Sequence, residues 1–195
     1  MKEVYISPLE RRLNKKQPPE KVMDAMGIEP GTKVAEVGVG RGRYGVQVAL
    51  RLGDSGTFYG VDIHEGRLGE FSERCRREGL GNVMTILGDD VDPRLPEGEL
   101  DLVFFISTYH HLSDPVDLLR NVKPSLKPGG RLAIVERDPV KSGRPEYEDS
   151  LRERNRYEAV SREGVLSDAD EAGFVHVETH TFLPEDNIYV LRPKV

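Results

Sequence analysis

Residues 33–45 read Lys33-Val34-Ala35-Glu36-Val37-Gly38-Val39-Gly40-Arg41-Gly42-Arg43-Tyr44-Gly45. A short β-rich run, Lys33 to Val37, stops at a glycine cluster. The stretch that follows, Arg43 to Leu52 (RYGVQVALRL), carries apolar residues at helical spacing. Glycines at alternate positions keep Cβ atoms off one side of the turn and let the chain adopt φ > 0 where the turn needs it. The following helix points its free N–H groups and the positive end of its dipole at the same spot. A polar or anionic ligand group is expected there.

Working outward, strand and helix patterns alternate. Thr57–Asp62 (TFYGVD), Asn82–Leu87 (NVMTIL), Asp101–Ile106 (DLVFFI) and Arg131–Glu136 (RLAIVE) read as strands; Arg67–Glu78 and a segment from Asp114-Pro115 to about Leu126 read as helices. Lys127-Pro128-Gly129-Gly130 reads as a turn. Such alternation implies βαβ units and a parallel sheet. The end of the chain breaks the rhythm. Helices are expected at 146–160 and from Ser161 to Ala172, then strands near Val175–Phe182 and Asn187–Leu191. Only Leu183-Pro184-Glu185-Asp186 joins those two strands, too short for a parallel crossover, so they must be antiparallel. The fold class is therefore α/β: a Rossmann-like, seven-stranded, mostly parallel sheet with helices on both faces and an antiparallel C-terminal pair.

The chain has 195 residues, one domain's worth, with 37% hydrophobic and 32% charged residues. Its longest apolar run, Leu102 to Ile106, is strand-sized, which excludes a membrane helix. Cys75 is the one cysteine, so an internal disulfide and a multi-cysteine zinc site are excluded. The start, MKEVYISPLERR, has no apolar export signal, and a cytoplasmic location is expected. A net charge of −6 argues against nucleic acid as a partner. Residues 1–21 carry six basic against three acidic side chains, and a solvated, loosely held arm is the expectation for them.

Two cofactor classes use a strand–glycine-turn–helix unit. Gly40-Arg41-Gly42-Arg43-Tyr44-Gly45 matches the dinucleotide pattern G-x-G-x-x-G, but it arrives late, since the tight turn should begin at Gly38. Glu36 would repel a pyrophosphate and suit a ligand with an ammonium or sulfonium charge. S-adenosylmethionine is favoured over NAD for that reason.

From this point the sequence resembles the class I S-adenosylmethionine-dependent methyltransferases, most closely their small bacterial and archaeal type 11 members. The family's E/D-x-G-x-G-x-G motif matches Glu36 to Gly42; Leu100-Asp101-Leu102-Val103, His110-His111-Leu112 and Leu126-Lys127-Pro128-Gly129-Gly130 follow in the family's order. The resemblance implies that Glu36, Gly38, Gly40 and Gly42 hold the cofactor's methionine end, and that Asp62, closing Tyr59-Gly60-Val61-Asp62, takes the ribose hydroxyls. Asp89 or its neighbour Asp90, in Gly88-Asp89-Asp90, would meet the adenine amine, and Ile63 would pack on the adenine face. Ser107, at the end of strand four, completes the expected cofactor residues.

Methyl transfer is an in-line displacement for which positioning supplies most of the rate. A general base is needed only if the acceptor's nucleophile is protonated, and His110 is the candidate, with Tyr109 and His111 beside it. His64, His110 and His111 match no tight metal-ligand spacing, and no metal is expected. The segment after strand four, Ser107-Thr108-Tyr109-His110, lacks the Asn/Asp-Pro-Pro-Tyr of adenine-N6 enzymes and the Pro-Cys of pyrimidine C5 enzymes. What remains is transfer to an O, N or activated carbon of a small molecule, less so of a protein. A single domain over 1–195 is expected, with a lid at 1–20 and a substrate-side insertion at 138–165. Tyr5, Arg11, Arg12, Arg144, Tyr147, Arg154 and Tyr157 are candidate pocket residues. Homodimerisation stays open, as do two alternatives: an NAD(P)-dependent Rossmann enzyme and a non-catalytic S-adenosylmethionine-binding module.

Overall fold

Leu100–Ile106 is apolar at nearly every position, and its side chains are buried on both faces of a sheet. A computed structural model describes this chain over residues 4–143 and 159–194. The helices are α1 (Pro8–Lys16), α2 (Pro19–Met26), α3 (Gly45–Leu52), α4 (Glu65–Arg77), α5 (Pro115–Val122), α6 (Pro139–Ser142) and α7 (Arg162–Glu171). The strands are β1 (Lys33–Val37), β2 (Thr57–Asp62), β3 (Val83–Leu87), β4 (Leu100–Ile106), β5 (Leu126–Arg137), β6 (Phe174–His180) and β7 (Asp186–Pro193). They form one sheet in the order β3-β2-β1-β4-β5-β7-β6. β1 pairs in parallel with both β2 and β4, so the strand order reverses beside it. In open α/β sheets the crevice at the carboxyl end of that reversal is where ligands bind. β7 is antiparallel to both β5 and β6, as the short connection required.

One apolar cluster lies on each face. Val34, Phe58, Phe71 and Phe104 belong to the first, and Ala35, Val103, Phe105 and Tyr189 to the second. Asp101 ties the bottom of the sheet: it accepts from the Lys33 backbone N–H at 2.8 Å and from Lys127 Nζ at 2.7 Å. Cys75 is buried, and burial pushes its thiol up to about 11. No described helix is long and apolar enough to cross a membrane.

Three expectations change. Residues 8–16 form a helix, solvated as expected but not a loosely held arm. Ser7 and Glu10 cap each other's backbone, and Pro8 occupies the first turn, where its missing N–H is harmless. Lys127–Gly130 is not a free turn between elements but an irregularity inside β5. The register jumps from Leu100 opposite Leu126 to Leu102 opposite Arg131, and a Cβ on Gly130 would lie 2.8 Å from the Leu100 carbonyl oxygen. The helix expected to run to Leu126 ends at Val122, followed by a 3₁₀ turn at Lys123–Ser125. The helix expected at 146–160, with Arg144, Tyr147, Arg154 and Tyr157, falls almost wholly outside the described residues.

Phe71 of α4 explains several glycines at once. Its ring sits edge-on to Phe58, with centroids 6.0 Å apart. Cβ atoms on Gly42, Gly45 or Gly60 would come within 2.1, 2.9 and 2.6 Å of that ring. Gly60 lies in regular β2, so Gly60→Ala tests the packing free of any left-handed backbone strain. It should cost about 1–3 kcal/mol through overpacking. In urea unfolding, Phe71→Leu should relieve part of that cost, giving a non-additive double-mutant cycle. Simple additivity would mean the ring and Gly60 do not press on each other.

Candidate functional site

The cleft opens above the carboxyl ends of β1, β2 and β4. Gly38, Gly40 and Gly42 all have positive φ, at 83°, 55° and 77°. Their missing side chains serve different neighbours. Gly38 makes room for Thr108, whose Cγ2 would lie 2.3 Å from a Cβ there, and Gly42 makes room for Phe71. Only the Gly40 position faces open space. Gly38 and Gly40 line the cleft, while the Gly42 position is packed against Phe71.

Asp62, at the end of β2, holds this loop in place. One carboxylate oxygen accepts from the Gly40 N–H and the other from the His64 N–H, each at 2.9 Å. A carboxylate offers about four acceptor sites, so two remain for a ligand. Asp62 lines the cleft, as do Ile63, which is 49% exposed, and Asp89 and Asp90. Asp89 accepts from the N–H groups of Val91 and Asp92 and pairs with Arg94, so those contacts hold its carboxylate below its usual range. The Asp90 side chain makes no hydrogen bond or ion pair among the described residues, which leaves it the freer of the two for a ligand.

Glu36 is buried in the floor. Its Oε2 has no hydrogen-bond partner among the described residues. Burial pushes its carboxyl up to about 8, against the pull of Arg43 and with a further push from Asp62. An orphaned buried acid is costly unless a ligand completes it. Ser107, also on the wall, is a non-glycine residue at φ 52°, a conformation that costs energy and that clusters at functional sites. Gln17 reaches it: Gln17 Nε2 donates to Ser107 Oγ at 3.3 Å, and Arg43 donates to Gln17 Oε1 at 2.6 Å.

The histidine pair lies on a 3₁₀ turn after β4. His110 is turned away from the cleft and is not among its lining residues. Glu136 clamps it, taking the His110 N–H on one oxygen at 3.2 Å and facing Nδ1 with the other at 2.8 Å. His111 lines the cleft instead. The two rings touch, with centroids 4.1 Å apart. Burial, then the neighbouring His110, keeps the His111 ring below the usual histidine value. Glu136, Gln17 and Arg43 escaped the sequence reading. Glu136 had a signal: an acid closing the apolar run Leu132–Val135, at the end of a strand where such sheets place their chemistry.

The cleft measures about 1160 Å³. The residues present fit S-adenosylmethionine. Glu36 is an unpaired acid for its ammonium group, Gly40 leaves backbone open to it, Asp62 has acceptors to spare, and Ile63 presents an apolar face. Such an arrangement defines an open α/β protein with a nucleoside-type site at its topological switch point.

Residues 34–130 match the family model described as a methyltransferase domain. The chain belongs to the class I S-adenosylmethionine-dependent methyltransferases. It is 29% identical over 163 residues to nocamycin O-methyltransferase of Saccharothrix syringae, covering 84% of this chain and 55% of that one. It is 27% identical over 117 residues to the demethylmenaquinone methyltransferase of Geobacillus kaustophilus, covering 60% and 50%. The chain thus spans about half the length of the curated relatives it matches. A crystal structure of a methyltransferase from Aquifex aeolicus, described as SAM dependent, superposes with a TM-score of 0.78 at 25% identity, covering 96% and 98%. The [4+2]-cyclase SpnF shares the fold as well, with a TM-score of 0.77 at 17% identity, covering 92% and 82%.

The buried acid has a pH signature. Raising its pKa above the unfolded value means the unfolded chain binds fewer protons between about pH 4.5 and 8, so Glu36 lowers stability progressively as pH rises through that window. Glu36→Gln should therefore flatten the fall in melting temperature of the ligand-free protein from pH 5 to 8, while weakening S-adenosylhomocysteine binding in calorimetry. An unchanged slope together with unchanged affinity would show that Glu36 faces neither solvent loss nor ligand.

Proposed function

We propose that this protein transfers the methyl group of S-adenosylmethionine to a hydroxyl or amine of a small-molecule acceptor. The observation that carries the reading is the unpaired Glu36 carboxyl, buried beside the open backbone of Gly40 and the loop brace Asp62. A pyrophosphate would meet that acid with repulsion, which counts against the nicotinamide alternative. The family match and the relatives named as methyltransferases, one of them an O-methyltransferase, support methyl transfer.

When bound, S-adenosylmethionine supplies an electrophilic methyl on a sulfonium whose departure leaves a neutral thioether. The chain's own residues do the rest. Glu36 gives up its proton and balances the ligand's ammonium. Asp62 fixes the loop and offers its spare acceptors to the ribose. His111 stands on the cleft wall as a neutral ring at pH 7 and takes the acceptor's proton as its oxygen or nitrogen attacks. His110 does not reach the cleft; held by Glu136 and in tilted contact with His111, it is a positioning residue that fixes the ring which does. The general base thus moves from residue 110 to residue 111, because a base must come within hydrogen-bond reach of the proton it takes.

Two outcomes are expected. S-adenosylhomocysteine at a hundred times its Kd should stabilise the protein by about 2.7 kcal/mol. For a chain of this size that is a rise of roughly 5–10 °C in melting temperature. NADH should leave it unmoved, and the reverse pattern would favour the nicotinamide alternative. With an accepted substrate found by screening hydroxylated and amine metabolites, His111→Gln should lower kcat by roughly 10²–10⁴. Its affinity for S-adenosylhomocysteine should be unchanged. Glu136→Gln should lower kcat less and shift the acid limb of the pH profile. A large loss in His110→Gln with none in His111→Gln would return the base to His110, and a persistent absence of turnover would favour the non-catalytic module.

A further inference from the structure

α1 is built inside out. A surface helix of a globular protein ordinarily turns its apolar stripe inward and its charges to water. Here the inward stripe is polar: Glu10, Asn14 and Gln17, spaced i, i+4 and i+7. Glu10 pairs with Arg74 of α4 at 2.6 Å, and Arg43 donates to Asn14 at 3.4 Å. Gln17 is buried and bonded to Ser107 and Arg43. The rest of the circumference faces water. Leu9, Arg11, Arg12, Leu13, Lys15 and Lys16 are all exposed, and α1 places no residue in the core. The segment is nonetheless held firmly, by its capping box at Ser7 and Glu10 and by Val4, which packs on the first apolar cluster.

We infer that the outer face of α1, with Tyr5 before it, docks on an anionic lipid surface. Two chemistries meet on that face. Its cations are uncommitted: the Arg11, Arg12 and Lys15 side chains make no hydrogen bond or ion pair among the described residues, while Lys16 pairs with Glu185. Glu10, the one acid of α1, is already neutralised by Arg74. The chain as a whole carries −6, but salt limits the reach of a surface charge to about 8 Å, so the local patch decides which partner approaches. Apolar groups adjoin the cations. Arg11 and Lys15 share a shallow groove with Val4, Tyr5 and Ile6, and Leu9 and Leu13 stand one turn apart at the rim of the cleft. Tyr5 and Leu9 are each 63% exposed. A nucleic-acid backbone would satisfy the three cations and leave the leucines in water. A bilayer takes both: lipid phosphates meet Arg11, Arg12 and Lys15 at headgroup depth, and Tyr5, Leu9 and Leu13 enter the boundary with the acyl chains. Such docking needs one helix face and no membrane-crossing segment.

Co-sedimentation of the full chain with lipid vesicles tests this, and it does not depend on the methyl-transfer reading. The protein should bind vesicles of phosphatidylcholine mixed with phosphatidylglycerol, and not vesicles of phosphatidylcholine alone. Arg11→Gln/Arg12→Gln/Lys15→Gln should lower the partition coefficient by roughly tenfold or more. Its melting temperature should be unchanged, since the three side chains are exposed and unpaired. Should that temperature fall, Arg12→Gln alone carries the same test, with a severalfold loss expected. Leu9→Ser should also lower partitioning severalfold, with the salt dependence kept. Equal binding to both vesicle types, or none to the anionic ones, would overturn the inference. So would a charge variant that binds like the wild type. Wild-type partitioning by Leu9→Ser would reduce the contact to electrostatic adsorption and overturn insertion of the apolar groups. Tighter binding to a labelled RNA duplex than to the anionic vesicles would assign the basic face to nucleic acid instead.

Discussion

The carboxylate of Asp62 and the N–H of Gly40, 2.9 Å apart, connect the end of one strand to the turn leaving its neighbour. Much of the site depends on that link. It fixes a loop with three left-handed glycines, where the chain has many alternatives once released. With the loop held, Glu36 is buried beneath it with no hydrogen-bond partner for Oε2 among the described residues, Gly40 faces outward, and Thr108 can occupy the space over Gly38. The last of these contacts joins the loop after β1 to the loop after β4, so the two halves of the cleft are set by the same few backbone positions.

The fold was legible because its signals are backbone signals. Buried parallel strands read as apolar runs, and the short connection before the last strand, five residues long in the structure, forced an antiparallel pair on chain-length grounds alone. The N-terminal helices were less legible. α1 is mostly charged and its leucines face a cleft rather than the core, so it shows no apolar face buried against the sheet. Its capping box, Ser7-Pro8-Leu9-Glu10, was the available signal. Lys127–Gly130 misled for the opposite reason. Its Pro and Gly mark a turn in most settings, but here glycine lets β5 approach the Leu100 carbonyl and the strand continues past it.

The site was partly legible. A motif tells which glycines are small but not what each is small for: Gly42 is flanked by Phe71, which is 29 residues away in sequence. The histidine pair shows a similar limit. Adjacent residues on a 3₁₀ turn point about a third of a turn apart, so only the structure shows that one ring meets Glu136 and the other the cleft. The shared fold of SpnF makes the wider point that this architecture alone does not fix a reaction; the side chains at the strand ends do.

Cys75 has a practical consequence. It is the chain's single cysteine, it lies buried in α4, and burial keeps its thiol protonated at neutral pH. Maleimides and other sulfhydryl reagents should pass it by in the folded state. The native protein therefore offers a silent background for attaching a fluorophore or spin label at one introduced cysteine on a solvent-facing position, with no need to remove the natural one first.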